Sequence, residues 1–321
     1  MEKYFNLQLF AEANTNVTTE TGLSPTMKTF YKTSLLENAR SEHYFSQFGQ
    51  KHLLPKNNGK KVEWRRFNTF TKAMTPLTEG VTPDGNKVDM VKIEKEISQY
   101  GDYTTISDRL ELEAVDPIIM LATEEHGAQA GDTIDTVTRN EVIAGTNVIY
   151  AGGKTSRDAL TKDDKISATL VNQAATFLKK MRAPKINGDY VGIIHPSVAY
   201  DLRESEEWMD VHKYAKPDEI YNGEIGKLHG VRFIETADQK VFANGVYATT
   251  IFGKDAYGIV DPSAESMEVI VKQRGSAGTA DPLDQRSTVG WKASHAAKIL
   301  YDERLVRIES GSFYTGVDTE N

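Results

Sequence analysis

The spacing of apolar and polar positions divides the chain into stretches of different period. Tyr100 to Ser107 (YGDYTTIS) is rich in aromatic and β-branched residues and predicts a strand. Further on, Ile119, Ala122, His126, Ala130, Ile134, Val137 and Glu141 recur at helical spacing. Asp116 as N-cap, Pro117 at the first helical position, and Gly145 with Asn147 at the end predict a helix over 116–145. Such a helix is roughly 40 Å long at about 1.5 Å per residue. Gly127 and Gly131 inside it each cost about 1 kcal/mol relative to Ala, which points to tight packing or a bend.

Before that helix the pattern is open. Residues 1–24 mix Phe5, Leu7, Leu9 and Phe10 with a polar tract and read as an arm with little core of its own. From Ser24-Pro25 an apolar stripe (Met27, Phe30, Tyr31, Leu35, Leu36) predicts a helix to about Phe48 within a lead-in over 25–59. Residues 60–98 then read as an extended hairpin loop. Two strand-like runs, 60–70 and 87–100, flank a loop punctuated by Pro76, Gly80, Pro83 and Gly85. The apolar set of the second run is too sparse to bury both faces, and a two-stranded ribbon is marginal alone in water. A loop of this length is usually functional. The expectation is a hairpin that projects and is stabilised by another subunit.

After the long helix, 150–164 reads as a linker. A helix over Ser167–Arg182 follows, capped by Ser167, then a buried-type strand at Asp189–His195 and a helix from Pro196 to about Glu204. A short segment leads to a strand at Val231–Glu235, and two strands flank Gly253. Alternating elements predict a compact α/β unit over 185–264. Met267–Gln273 alternates as a strand, and 285–309 reads as one return strand before a frayed tail.

Composition narrows the function. With 321 residues, 39% of them hydrophobic and 26% charged, the chain has the make-up of a globular protein. No apolar run approaches the ~18 residues of a membrane span. The absence of cysteine removes disulfides, thiolate catalysis and Cys-ligated zinc. A formal charge of -8 argues against a protein whose task is gripping phosphates, although it could enclose nucleic acid without binding it tightly. Chemical motifs are absent. Gly153-Lys154-Thr155 resembles the end of a phosphate-binding loop, but Val148 stands where that loop needs glycine. The seven histidines are scattered, and His126 beside Glu124-Glu125 reads as a packed or solvated side chain rather than a ligand. The pairs Lys60-Lys61, Arg65-Arg66 and Lys179-Lys180 are too small for a nucleic-acid reader. No catalytic residue, cofactor or metal ligand is expected.

Longer stretches carry a resemblance. NLQLFAE (Asn6–Glu12), VTTETGLSPTMKTFY (Val17–Tyr31), FGQK (Phe48–Lys51), TPLTEGVTPDGN (Thr75–Asn86), QYGDYTTISD (Gln99–Asp108), DPI (Asp116–Ile118) and TRNEVIAGTN (Thr138–Asn147) are similar to the major capsid proteins of tailed bacteriophages, in the branch named after the coat protein of phage N-four. IIHPSVAYDLR (Ile193–Arg203), GEIGKLHGVRFIET (Gly223–Thr236) and FGKDAYGIVD (Phe252–Asp261) are weaker echoes. The resemblance implies an α+β Hong Kong-type capsid fold. Its parts would be the arm (1–24), the extended hairpin loop (60–98), a peripheral domain (99–184) with the spine helix, an α/β axial domain (185–264), and peripheral closing strands with the tail (265–321).

The same resemblance implies a subunit of the virion capsid that assembles in the bacterial host cytoplasm, as pentamers and hexamers, into an icosahedral shell. The shell would enclose double-stranded DNA without sequence-specific contacts, with scaffolding, portal and decoration proteins as partners and no membrane. In this family the hairpin lies over a neighbouring subunit. Trp64, Arg65, Arg66, Lys72, Glu79, Asp84 and Lys87 are therefore the expected hairpin contacts, and Phe5, Leu7, Leu9 and Phe10 the arm contacts. Only about two dozen residues precede the first helix, so a separate scaffolding protein is expected. No motif matches a covalent crosslink at Lys72 or Lys87. The alternatives are an α/β enzyme without a recognisable catalytic motif, and a tail or adhesion protein, for which the required β-repeats are missing.

Overall fold

The structure, a computed structural model, describes residues 15–16, 44–53, 60–68, 70–82, 85–114, 118–206, 208, 224–260, 267–276, 281–314 and 318–321. The arm contacts Phe5, Leu7, Leu9 and Phe10, the helix expected over 25–43, the cap Asp116-Pro117, and Asp84 lie outside the described residues. Within them the chain divides into two units. One gathers 98–134 and 262–295, and the other 44–97, 135–261 and 296–321.

The first unit is a sheet with a helix on one face. Its strands are ordered Thr15–Asn16, Ser98–Ser107, Arg286–His295 and Met267–Lys272. The two ten-residue strands pair antiparallel along their whole length, from Arg286 opposite Ser107 to His295 opposite Ser98. Period-2 alternation sends Tyr100, Ile106, Val289, Trp291 and Ala293 to one face. There they pack on Ile118, Ile119, Ala122, Ala130 and Ile134 of the long helix. That helix spans Ile118–Ile143 and continues from Asp135 into the second unit. A short helix, Asp108–Glu113, precedes it and was not evident in the apolar pattern; the Ser107 hydroxyl caps it by accepting from the Leu110 N–H.

The second unit is built on a seven-stranded sheet. The order is Val148–Tyr150, Leu305–Ser310, Val246–Phe252, Tyr190–Ile194, Val231–Glu235 and Glu224–Leu228, with Val241–Phe242 paired off Val246–Phe252. The central strands are buried on both faces, which suits the apolar run Tyr190–Ile194, while Leu305–Ser310 buries Arg307 and Glu309 as a bonded pair. On one face Val171, Ala174, Ala175 and Leu178 of helix Ala168–Lys180 meet Val198 and Leu202 of helix Pro196–Arg203 over Ile194, Phe233, Ile251 and Ile308. On the other, Phe45, Val142 and Tyr257 pack over Val191, Ile193, Phe252 and Leu305. Residues 44–48 form turns instead of the end of a helix. The buried Asp135 carboxylate holds them, accepting from the N–H groups of Phe45 and Ser46 and from the Ser46 hydroxyl.

Two further expectations are corrected. The single return strand over 285–309 is three strands in three sheets. Arg286–His295 closes the first unit, Ala297–Ile299 pairs with Tyr257–Val260, and Leu305–Ser310 lies inside the seven-stranded sheet. A one-residue break at Ala296 and a turn at Tyr301–Arg304 separate the three strands. The segment before Val231 is itself a strand, Glu224–Leu228, because His229 and Gly230 both adopt positive φ and close a two-residue hairpin. Helix Ala168–Lys180 and strand Leu305–Ser310 are part of the core of the seven-stranded sheet.

Candidate assembly surfaces

The hairpin is anchored at its base and bare beyond it. Lys61–Phe67 and Met90–Glu96 pair antiparallel, with Trp64 opposite Ile93 and Arg66 opposite Val91. One face carries Val62, Trp64 and Ile93, which pack with Ile97 on Val260, Ala296, Leu300 and Tyr301. Trp64 is only 4% exposed and lies flat on Gly258, where an added Cβ would stand 2.5 Å from its Nε1. The opposite face is a ladder of charges. Lys92 bonds Glu63 at 2.7 Å and also Glu94, Arg65 bonds Glu63 at 2.6 Å, and Lys61 reaches Glu94 at 3.4 Å. The hydrogen bond from Lys92 is the chief reason that the Glu63 and Glu94 carboxyls lie below their ordinary range.

A second ion cluster ties the hairpin base to the long helix. Glu141 accepts from Lys95 at 3.0 Å and from Lys298 at 2.8 Å. Burial opposes ionisation of Glu141, but the hydrogen bonds from Lys298 and Lys95 outweigh it and hold the carboxyl below its usual range.

Between the strands, the described residues of 68–89 carry no helix or strand, and in one turn the Val81 N–H donates to the Thr78 carbonyl. Of the sixteen large hydrophobic side chains exposed among the described residues, seven fall within 67–90: Phe67, Phe70, Met74, Leu77, Val81, Val88 and Met90. Met74 is 81% exposed and Leu77 78%. Isolated exposed apolar residues are normal, but this concentration along one segment makes it a candidate interaction surface.

The expected hairpin contacts divide accordingly. Lys72, Glu79 and Lys87 are exposed on the loop, and Arg65 is exposed on the charged face of the ribbon. Trp64 is not a free contact; it belongs to the core beneath the ribbon because its face of the pleat turns inward. Arg66 is half-buried on the same face and donates to the Leu300 carbonyl at 3.2 Å. The exposed apolar residues of this loop, Phe70, Met74, Leu77 and Val81, were not singled out by sequence. Their signal was present, as a regular apolar recurrence inside a Pro/Gly-punctuated loop.

The open face of the four-stranded sheet is a second surface. A cavity of about 650 Å³ lies there, lined among others by Tyr103, Thr105, Ile270, Lys272, Thr288 and Lys292. Tyr103 stands exposed because its cross-strand partner is Gly290, which offers no side chain to cover it.

Among the described residues, no group of three or more His, Cys, Asp or Glu could hold a metal ion. His126 is a buried, packed histidine whose ring nitrogens meet the Gln129 side-chain oxygen at 3.1 Å and the Thr104 hydroxyl at 2.9 Å. No helix among the described residues is long and apolar enough to cross a membrane.

A family model described as phage capsid protein matches residues 91–308, more than half of the chain. No curated protein matches it in sequence. Among solved structures, the capsid of the cyanophage P-SCSP1u superposes with a TM-score of 0.67 at 15% identity, covering 92% of this chain and 96% of that one. The capsid of Ralstonia phage GP4 gives 0.66 at 12% identity, with 86% and 90% covered. The mature capsid of bacteriophage PhiM1 gives 0.59 at 13%, with 83% and 86% covered. At these identities the likeness establishes the fold, which is that of the Hong Kong-type capsid proteins.

Proposed function

Since the chain belongs to the phage capsid protein family and is a major capsid protein, we propose that its copies assemble through the hairpin loop, as pentamers and hexamers, into an icosahedral shell around double-stranded DNA. The observation that carries this reading is the loop at 68–89, whose apolar side chains Phe70, Met74, Leu77, Val81 and Val88 stand exposed among the described residues. Buried against a neighbour, each contributes roughly 1.5–3 kcal/mol before ordering costs. Every subunit shares several such contacts, so individually weak ones sum to a stable shell.

In this reading the unit with the seven-stranded sheet supplies the axial domain, and the four-stranded sheet with the long helix supplies the peripheral domain. Lys72, Glu79 and Lys87 flank the apolar loop contact, Asp84 lies within the same loop, and Arg65 meets the neighbour beside the ribbon. Phe5, Leu7, Leu9 and Phe10 form a separate arm contact. The chain is a structural subunit and not an enzyme, and it forms no covalent crosslink at Lys72 or Lys87. Assembly takes place in the host cytoplasm with a scaffolding protein and a portal, decoration proteins join the shell, and the acidic charge keeps the enclosed DNA from binding tightly.

Negative-stain microscopy and sedimentation of the purified chain, with and without the scaffolding partner, test the reading. Shells, tubes, or rings of five and six subunits are expected. A monodisperse monomer under every condition would refute self-assembly.

A further inference from the structure

The Tyr301 ring at the base of the hairpin gathers two guanidiniums. Arg304 stacks 3.6 Å from the ring centroid and Arg66 lies 5.2 Å from it. Both line a polar cavity of about 220 Å³ with Trp64, Arg65 and Asp255. Arg65 is engaged by Glu63 at 2.6 Å. Arg66 and Arg304 each donate one Nη1 bond to a carbonyl, of Leu300 and Lys254, and neither pairs with a carboxylate among the described residues. Asp255, the acidic residue of the lining, forms no ion pair with them either. Two donors of the lining residues, Arg66 Nε and Trp64 Nε1, are buried without an acceptor among the described residues.

Like charges held together beside unmet buried donors are costly unless an anion completes them. The geometry points to a binding site for a phosphate-type oxyanion between Arg66, Arg304 and Tyr301. Guanidinium forks match phosphate oxygens two at a time, and a tetrahedral anion accepts from several directions, where a carboxylate offers two oxygens in one plane. The volume is below the roughly 300–1,000 Å³ of pockets that hold drug-sized ligands, so the site takes a single phosphate group and not a whole nucleotide. With a net charge of -8 the chain does not attract anions in general, so binding here is local. That phosphate is either free inorganic phosphate or a phosphodiester of nucleic acid.

Calorimetric titration of the unassembled full chain with sodium phosphate, against chloride at matched ionic strength, tests the site independently of shell formation. Saturable binding is expected, weakened about tenfold or more in Arg66→Gln and in Arg304→Gln, as hydrogen bonds to a charged group require. Arg203→Gln, which removes a surface ion pair with Glu235, leaves binding unchanged. Arg304→Lys keeps the charge while losing the fork, and is expected to bind weakly even where the glutamine variants fail to fold. Competition by a short DNA duplex identifies the phosphodiester as the source, and its absence identifies free phosphate. Non-saturable binding, equal binding of acetate, or wild-type affinity in the folded arginine variants would overturn the site.

Discussion

Glu309 has no exposed surface, and its charge is met on two sides. Arg157 donates from Nε at 2.8 Å and from Nη2 at 2.7 Å, and Arg307 Nε donates at 2.8 Å. The Arg157 guanidinium lies 3.5 Å over the Phe242 ring, which fixes its fork in the plane that the carboxylate needs. Removing one member of a buried ionic group leaves the others uncompensated. Glu309→Ala is therefore expected to cost about 3 kcal/mol or more, read as a lowered urea midpoint with unchanged slope. Gly127 is the opposite case. The sequence suggests tight packing or a bend, but a Cβ built there meets nothing within 4 Å. Gly127→Ala should stabilise the free subunit by about 1 kcal/mol, measured by thermal unfolding. A variant more stable but unable to assemble would place a neighbouring subunit against that helix face.

At the scale of elements, the hairpin base depends on Glu141 and its two lysines. The folded carboxyl lies below its ordinary value, so its contribution is fully present at neutral pH. It is lost as the pH falls below the unfolded value of roughly 4.3 and through the folded one. Hydrogen exchange of residues 61–67 and 90–96, expressed relative to the intrinsic amide rate at each pH, should therefore accelerate on acidification in the wild type. In Glu141→Gln it should be fast already at neutral pH, with a weaker further response to acid. Equal protection in the two proteins would show that the apolar contacts of Val62 and Trp64 hold the ribbon alone. The exposed ladder of Glu63, Lys92 and Glu94 adds little, because water screens it. Gly258 belongs to the same argument. Its bare backbone is the surface on which Trp64 rests, so any side chain there must displace the indole.

For the whole molecule, folding and assembly are separable. The seven-stranded sheet and the four-stranded sheet have cores to which the described residues of the loop at 68–89 contribute no buried side chain. Deleting residues 71–86 should leave a folded, soluble subunit that forms no shells, checked by circular dichroism and microscopy side by side. Shells formed by the deletion would show that the loop is not an assembly contact. A double replacement, Met74→Asp with Leu77→Asp, should give the same loss without shortening the chain.

Much of this was legible because it is local. The long helix, the helix capped by Ser167, the strand before His195 and the punctuated hairpin loop each follow from periodicity, capping and turn chemistry within a few residues. The capsid resemblance rests likewise on contiguous stretches. What the chain alone could not settle is which distant residues meet. Nothing near Arg65-Arg66 announces that one arginine faces water while the other turns in toward Tyr301 and Arg304, more than two hundred positions away. Nothing in 285–309 shows that one extended run serves three sheets, since extended backbone pairs with whatever edge the packing presents. Local preferences selected the elements. The burial of their faces against one another decided the partners, because that free energy arises only when residues far apart in the chain exclude water together.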